Sequence, residues 1–490
     1  MNYTAPEKTG IKSSDIKRYV ETLEKANLST HDLIIMRRDH IIFEKNWKPF
    51  HKDFLHRMYS VTKSFTALAI GFCEQDGLLR LDDPICKYFG GDLKDQTDEN
   101  MKNQTIRHML MMTTAKPDWG WFEARPADRV QHYFKNNLNS TRPSGTTFHY
   151  DSSGSFVLGA LVERLTKKEL LEYLREKFLD KIGFSKDAYM LKCPGGHSWA
   201  DSGLVCRPTD LLKAAMFCMK KGSWNGEQLL NEPFMTAATT KQTDNDDAGL
   251  RQFDGQGYGY QIWMSYGESF FFNGMGCQFA LCVPEKDIIM VYNGDNQGNP
   301  HAKTVIIDQF FDMIVKNAGE TADKDQKSQD ALDDYVKNLD LYCVKGDMHK
   351  EIENKINGVT YLMDQNAMGI SRVKFVFDGN HGKLCYTNMQ GDKELAFGLC
   401  KNEFGKFPQK GYSGKIGSQP GSRLYNCAVS AAWVSDYQLF IKVQAIDIYF
   451  GILNISVGFS ERGEIGIFMN KTAEDFFCEY QGFAGGRIES

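Results

Sequence analysis

The run Tyr59-Ser60-Val61-Thr62-Lys63-Ser64-Phe65 places a hydroxyl and an amine three positions apart. At a helix start such a pair shares one face, so the Lys63 amine can reach the Ser60 hydroxyl. Burial disfavours an ammonium, and a neutral amine can take a serine proton and generate a nucleophile. Taken alone, the same residues also read as a capped helix with a surface lysine. A second run, Pro143-Ser144-Gly145-Thr146-Thr147-Phe148-His149-Tyr150-Asp151-Ser152, sets Tyr150 in a polar turn with the hydroxyl of Ser152 two residues on. A tyrosine there can carry a proton between an attacked group and a lysine. It also reads as a buried phenol bonded to backbone. The third run, Phe271-Phe272-Asn273-Gly274-Met275-Gly276-Cys277-Gln278, interrupts a β pattern with glycines, as expected where a substrate backbone approaches a strand edge. Backbone amides at such a point can hold an oxyanion, although a β-bulge has the same signature.

These runs need elements to hold them. Phe65, Leu68, Ala69 and Phe72 recur at helical spacing after Lys63, and Phe156, Val157, Leu158, Leu161 and Val162 do so after Ser152. Upstream, Ser13 or Ser14 can cap a helix with Ile16, Tyr19, Val20 and Leu23 on its apolar face. Leu33–Arg37 and Ile41–Trp47 read as a hairpin turning at Arg38-Asp39-His40. The pattern is mainly helical from Tyr59 to about Leu230. It then becomes strands at Tyr258–Ser265, Ser269–Asn273, Gln278–Val283 and Ile288–Asn293, with connections short enough for an antiparallel meander, and a helix over about Lys303–Val315. The polar stretch Lys316–Asp334 reads as a linker or exposed helix. Beyond it, alternating runs at Val359–Met363, Val373–Asp378, Lys383–Asn388, Tyr437–Gln444, Leu453–Phe459 and Ile465–Asn470 predict an all-β module.

Composition excludes several classes. With 42% hydrophobic and 25% charged residues, the chain is neither disordered nor fibrous. Its 58 basic and 63 acidic residues give a net charge of −5, without the basic field that nucleic acid calls for. No apolar run approaches a membrane span, and the N-terminus has no signal-peptide pattern, so the expected location is cytoplasmic. The 12 cysteines are scattered without a CxxC pair and read as small buried apolar residues. No metal-binding spacing appears among the 11 histidines, and no GxSxG elbow, Walker A loop or GxGxxG fingerprint is present.

Together and in this order, the three runs resemble the motifs of the serine hydrolases of the penicillin-binding-protein and class C β-lactamase superfamily: S-x-x-K, then Y-x-N or Y-x-S, then a Lys/His-x-Gly strand. The resemblance extends over about Gly10–Val315, through Gly71–Tyr88, Thr105–Thr114, Gly203–Gly222 and Tyr258–Trp263. It implies an α+β fold of the β-lactamase/transpeptidase type, an antiparallel sheet flanked by helices with an inserted helical subdomain. The expected organisation is a hydrolase domain at 1–318, a linker at 319–340 and a C-terminal β-barrel or sandwich at 341–490. By the same resemblance Ser60 is the nucleophile, Lys63 its base and Tyr150 the proton relay. Ser152 stands where Asn or Ser is usual, Gly274 is the motif glycine preceded by Asn273, and the amides of Ser60 and Met275 form the oxyanion hole. Trp119, Trp121 and Phe122 fall in a loop that borders the acyl pocket in this superfamily.

The third motif departs from the pattern. Phe272 occupies the position of the Lys or His, so the cation that would meet a penicillin carboxylate is missing. The Gly274–Gln278 form, G-x-G-x-Q, looks more like the esterase and 6-aminohexanoate-dimer hydrolase branch. The expected activity is therefore acyl-enzyme hydrolysis of an ester, amide or peptide-like bond in a small-molecule or short peptide substrate, with no cofactor or metal. A β-lactamase or DD-peptidase is one alternative, and a catalytically silent binding scaffold is another.

Overall fold

A computed structural model of the chain describes residues 1–92, 98–115, 121, 128–136, 140–193, 195–246, 252–411, 423–474 and 476–489. The N-terminal hairpin pairs Thr30–Arg37 with His40–Asn46, closing at Arg37 opposite His40. Arg38 and Asp39 both take positive φ, 51° and 62°, the left-handed pair that a two-residue turn between twisted strands demands. These strands belong to a seven-stranded sheet in the order Asn2–Tyr3, His40–Asn46, Thr30–Arg37, Ile288–Gly294, Gln278–Val283, Phe270–Gly274, Trp263–Met264. Every pairing is antiparallel except that of the short N-terminal edge strand.

Strand alternation sorts the sheet's side chains onto two faces. One face carries Leu33, Ile35, Phe279, Leu281 and Met290 into a core with Ile16, Tyr19, Val20 and Leu23 of helix Ser13–Lys25 and Ile306, Ile307 and Phe310 of helix Ala302–Phe310. The Tyr19 hydroxyl joins these two helices by donating to the Ile306 carbonyl at 2.8 Å. The other face packs on helix Pro208–Met219, where the Cys282 thiol approaches the Ala215 carbonyl. Between the hairpin and the later strands lies a helical region that includes Thr62–Gln75, Ile106–Leu110, Arg129–Asn136, Ser152–Thr166 and Leu170–Leu174.

The expected strand over Tyr258–Ser265 is shorter in the structure. Only Trp263–Met264 joins the ladder. Gln261 adopts φ 56° and directs its backbone and side chain to neighbouring helices, which takes this stretch out of sheet register. The helix expected over Lys303–Val315 runs as α-helix over Ala302–Phe310 and continues as a wider turn over Phe311–Val315. In the polar stretch, helix Gln326–Val336 buries Leu332 in the core of Ile16 and Leu23.

Two compact units result: Met1–Gly294 with His301–Leu339, and Asp295–Pro300 with Asp340–Ser490. The second is a closed β-barrel. Ten strands follow one another from Gly391–Leu399 round to Glu403–Lys406, and Gly398 and Leu399 pair with Ser430 and Ala431 to close the ring. Leu439, Ile441 and Val443 are buried while Gln438 is exposed, the alternation expected of a barrel wall. The hexapeptide Asp295–Pro300 belongs to this unit, with the Gln297 amide reaching the Phe450 carbonyl at 3.4 Å. Among the described residues no helix is long and apolar enough to cross a membrane. The cysteines carry free thiols, most of them buried or half-buried, with Cys478 exposed.

Candidate active site

Ser60 lies in a tight turn, Tyr59–Val61, that feeds directly into helix Thr62–Gln75. Tyr59 has φ 47°, a strained conformation for a bulky residue, and its surroundings hold it there. The Arg57 guanidinium covers the Tyr59 ring at 4.4 Å while its Nε donates to the Ser202 carbonyl at 3.0 Å. One helical turn on, Lys63 is buried, with Nζ 3.0 Å from Ser60 Oγ. Lys63 Nζ also donates to the Asp201 carbonyl at 2.7 Å and stands 5.0 Å from the centre of the Tyr150 ring.

Tyr150 is half-buried and stacks on Trp263, with ring centres 5.5 Å apart and planes 30° from parallel. The next residue, Asp151, caps helix Ser152–Thr166 by accepting from the Gly154 N–H at 3.1 Å, and it also accepts from the hydroxyls of Ser153 and Thr114. Burial pushes the Asp151 carboxyl above its ordinary range, against the pull of these hydrogen bonds. The cap fixes where the chain enters the helix, and so fixes Tyr150. Ser152 begins the helix half-exposed.

Gly274 ends strand Phe270–Gly274, and a Cβ there would fall 2.3 Å from the Met58 carbonyl oxygen. Only glycine lets the strand come this close to the segment leading into Ser60. Phe272, on the same side of the strand, is buried edge-on against Phe65 of helix Thr62–Gln75, with centroids 6.4 Å apart. The position that would carry a cation is thus filled by a phenyl ring in the core. Asn273, nearly buried, shares by alternation the side of Phe271. After Gly274 the chain turns through Met275, then Gly276 and Cys277 at φ 77° and 76°, and returns at Gln278 opposite Gly274. Buried Gln278 braces this turn: its amide donates to the carbonyls of Met275 and Gly294, at 3.1 and 2.6 Å, and accepts from Asn293 at 3.0 Å.

The structure therefore brings Ser60, Lys63 and Tyr150 together, with Ser152 one residue past the Asp151 cap and Gly274 against the backbone of Met58. Trp121 is buried against Phe156, whereas Trp119 and Phe122 lie outside the described residues.

Two residues of the site escaped the sequence reading. Gln261 accepts from Ser64 through its carbonyl at 2.8 Å and from Ser155 through its side chain at 2.6 Å, and donates to the Met109 carbonyl at 2.8 Å. It ties the helix of the first motif to that of the second. The available signal was an amide amid Tyr258, Tyr260 and Trp263, because a polar group buried among aromatics has to be bonded. Asp201 presents its carbonyl to Lys63 and its carboxyl to the indole N–H of Trp121 at 3.3 Å. It stood two positions ahead of the segment Gly203–Gly222.

Residues 17–308 match the Beta-lactamase family, and the chain belongs to that family of hydrolases. Its closed C-terminal barrel accompanies a β-lactamase/transpeptidase-like fold. The chain is 22% identical over 282 residues to the 6-aminohexanoate-dimer hydrolase of Paenarthrobacter ureafaciens, covering 54% of this chain and 71% of that one. In fold it is similar to the octameric penicillin-binding protein homologue of Pyrococcus abyssi, with TM-score 0.51, 15% identity, and coverage of 96% of this chain and 99% of the other. It also resembles a penicillin-binding protein homologue from Caulobacter crescentus, with TM-score 0.50, 14% identity, and coverage of 64% and 99%.

Proposed function

We propose that the protein is a serine hydrolase working through an acyl-enzyme at Ser60. The observation that carries the reading is the 3.0 Å approach of a buried Lys63 amine to Ser60 Oγ, with the amine's other contact spent on a backbone carbonyl. A neutral Lys63 takes the Ser60 proton as Oγ attacks the carbonyl carbon of the substrate. The tetrahedral oxyanion is held by the amides of Ser60 and Met275, a role supported by the close approach of Gly274, next to Met275, to the Met58 carbonyl two residues before Ser60. Tyr150 passes the proton to the leaving group, with the Ser152 hydroxyl close by in sequence. Water then attacks the acyl-enzyme by the reverse path and frees Ser60. The Asn273 side chain borders the strand along which the substrate lies. The barrel, 341–490, does no chemistry in this scheme.

Esters and amides of short acyl chains are the favoured substrates, and the likeness to a 6-aminohexanoate-dimer hydrolase supports a linear amide as one target. Phe272 argues against β-lactams and DD-peptides, because a buried phenyl gives their carboxylate no partner. The test is covalent labelling by a fluorescent alkyl fluorophosphonate and a fluorescent penicillin, each compared with Ser60→Ala. Labelling by the fluorophosphonate that disappears in Ser60→Ala is expected. Absence of labelling by both probes would sink the proposal and leave a binding scaffold.

A further inference from the structure

Gln261 holds more of the site than its place outside the sequence motifs suggests. It is buried within a tight turn, where the Gly259 N–H donates to the Ile262 carbonyl at 2.8 Å, and its φ of 56° is uncommon for a residue with a side chain. Its carbonyl accepts from Ser64 Oγ at 2.8 Å, one residue past Lys63 on helix Thr62–Gln75. Its side-chain oxygen accepts from Ser155 Oγ at 2.6 Å, on helix Ser152–Thr166. The backbone N–H donates to the Leu110 carbonyl at 2.9 Å, and Nε2 donates to the carbonyls of Met109 and Leu110 at 2.8 and 3.3 Å. These carbonyls end helix Ile106–Leu110, where a helix has no partners of its own to offer. The chain then reaches Met112, which holds Tyr150 from both sides. Its carbonyl accepts the His149 N–H at 2.8 Å, and its sulfur accepts the Asp151 N–H at 3.0 Å. Tyr150 itself packs against the cluster of Met112, Phe148 and Tyr258.

We infer that Gln261 is a positioning residue acting through Tyr150: it locks the helix that carries Lys63 to the elements that place the phenol. The inference rests on the serine-hydrolase reading above. Ser60 and Lys63 share one helical turn and meet at 3.0 Å, a contact local to the chain. Tyr150 comes from a separate stretch, so its place beside them depends on how the helices are held together. Attack by Ser60 Oγ forms the new C–O bond, and collapse of the intermediate breaks the bond to the leaving alcohol. The proton taken up by Lys63 reaches the departing oxygen through the Tyr150 hydroxyl. A nitrophenolate leaves as a stable anion without that proton, whereas an alkoxide needs it. A displaced phenol therefore discriminates between leaving groups, while a general loosening of the site slows both alike.

The test uses the full-length chain and two esters with the same acyl group, p-nitrophenyl acetate and 2-phenylethyl acetate. Each is followed by kcat/KM, which covers acylation and departure of the alcohol. Gln261→Met keeps the side-chain length and the backbone bonds to Ser64 and Leu110, but loses the side-chain bonds to Ser155, Met109 and Leu110. Its kcat/KM for 2-phenylethyl acetate is expected to fall about tenfold or more, part of the roughly 10²–10⁴-fold that a well-placed acid contributes. That for p-nitrophenyl acetate is expected to stay within about threefold, since its leaving group needs no acid. A thermal melt checks that the variant is folded. If it is not, Ser155→Ala is read in the same way; it removes the bond to Gln261 and the 3.1 Å contact of the same hydroxyl with the Asp151 carbonyl. Equal losses on the two esters, no loss on either, or the larger loss on p-nitrophenyl acetate overturns the role of Gln261 alone. So does a wild type that fails on 2-phenylethyl acetate yet cleaves p-nitrophenyl acetate or takes a fluorophosphonate label at Ser60. A wild type that cleaves neither ester and takes no label overturns the serine-hydrolase reading, and the role of Gln261 falls with it.

Discussion

Replacing Gly274 by alanine tests the oxyanion strand directly. The added Cβ would meet the Met58 carbonyl oxygen at 2.3 Å, with Gln278 Cβ at 3.0 Å and Val61 Cγ2 at 3.3 Å. Ordinary contact begins at about 3.4 Å, so the strand and the Met58 backbone must part by roughly 1 Å. Neither partner is the free end of a flexible side chain. One precedes Met275 and the other precedes Ser60, so the separation falls between the two amides proposed to hold the oxyanion. A 1 Å misplacement costs on the order of 100-fold in rate, and loss of one oxyanion donor costs a similar factor. Overpacking should lower stability by about 1–3 kcal/mol. The assay is the second-order rate of fluorophosphonate labelling at Ser60 together with turnover of p-nitrophenyl acetate, on protein shown by a thermal melt to be folded. Labelling within threefold of wild type in a folded Gly274→Ala protein would refute the assignment of this strand.

Lys63→Arg should abolish ester turnover while leaving the melting temperature close to wild type, because arginine stays protonated in proteins; retention of most of the activity would remove Lys63 from the role of base. Short-chain p-nitrophenyl esters should exceed nitrocefin at least tenfold in kcat/KM, since a charge-assisted bond to a carboxylate is worth about 1.5–3 kcal/mol and Phe272 cannot make one; the reverse ranking would contradict it. Acid stability should depend on His31, which is buried, stacked on Phe50 at 3.8 Å and held well below the ordinary histidine range by desolvation. Its neutral form is favoured on folding, so unfolding takes up a proton below the unfolded histidine value, and stability is lost as pH falls from about 6.5. His31→Phe should flatten the dependence of urea-unfolding free energy on pH by about 1.4 kcal/mol per unit in that range, and an unchanged slope would exclude His31 as the source. The neighbouring His56 and Asp32, 3.0 Å apart, do not compete for this effect between about pH 4 and 6.5. Burial pushes the carboxyl up and the imidazole down, so the pair holds one proton folded or unfolded.

What could be read in the sequence was what is local in the chain. Ser60 and Lys63 lie one helical turn apart, and Arg38-Asp39 is a turn whose residues dictate its hand. The sheet order did not follow from periodicity, because strand Thr30–Arg37 pairs with Ile288–Gly294 across most of the catalytic unit; the family resemblance supplied it. Gln261 and Asp201 stayed hidden for the same reason. Their partners Ser64 and Lys63 are 197 and 138 positions away, and no window of sequence contains both ends. In the barrel, runs with clear alternation were found to within a few residues. Asn426–Trp433 and Gly482–Ile488 were missed because alanines and glycines leave little contrast between the two faces of a strand.

The hexapeptide Asp295–Pro300 makes the chain's path unlike beads on a string. The backbone leaves the catalytic unit after Gly294, contributes six residues to the barrel unit, returns at His301 and departs for good after Leu339. During synthesis those six residues emerge about 150 positions ahead of Phe450, whose carbonyl Gln297 meets, and further still ahead of Thr472, which packs where a Cβ on Gly298 would stand. The catalytic unit has all its residues on hand once Leu339 has been made, whereas the barrel unit must wait for its own last strands before its earliest piece has anything to hold. A ribosome pausing in the barrel-coding region would therefore display a finished catalytic unit with an unfinished loop in its middle. For the same reason no single cut can divide the gene into two self-sufficient halves.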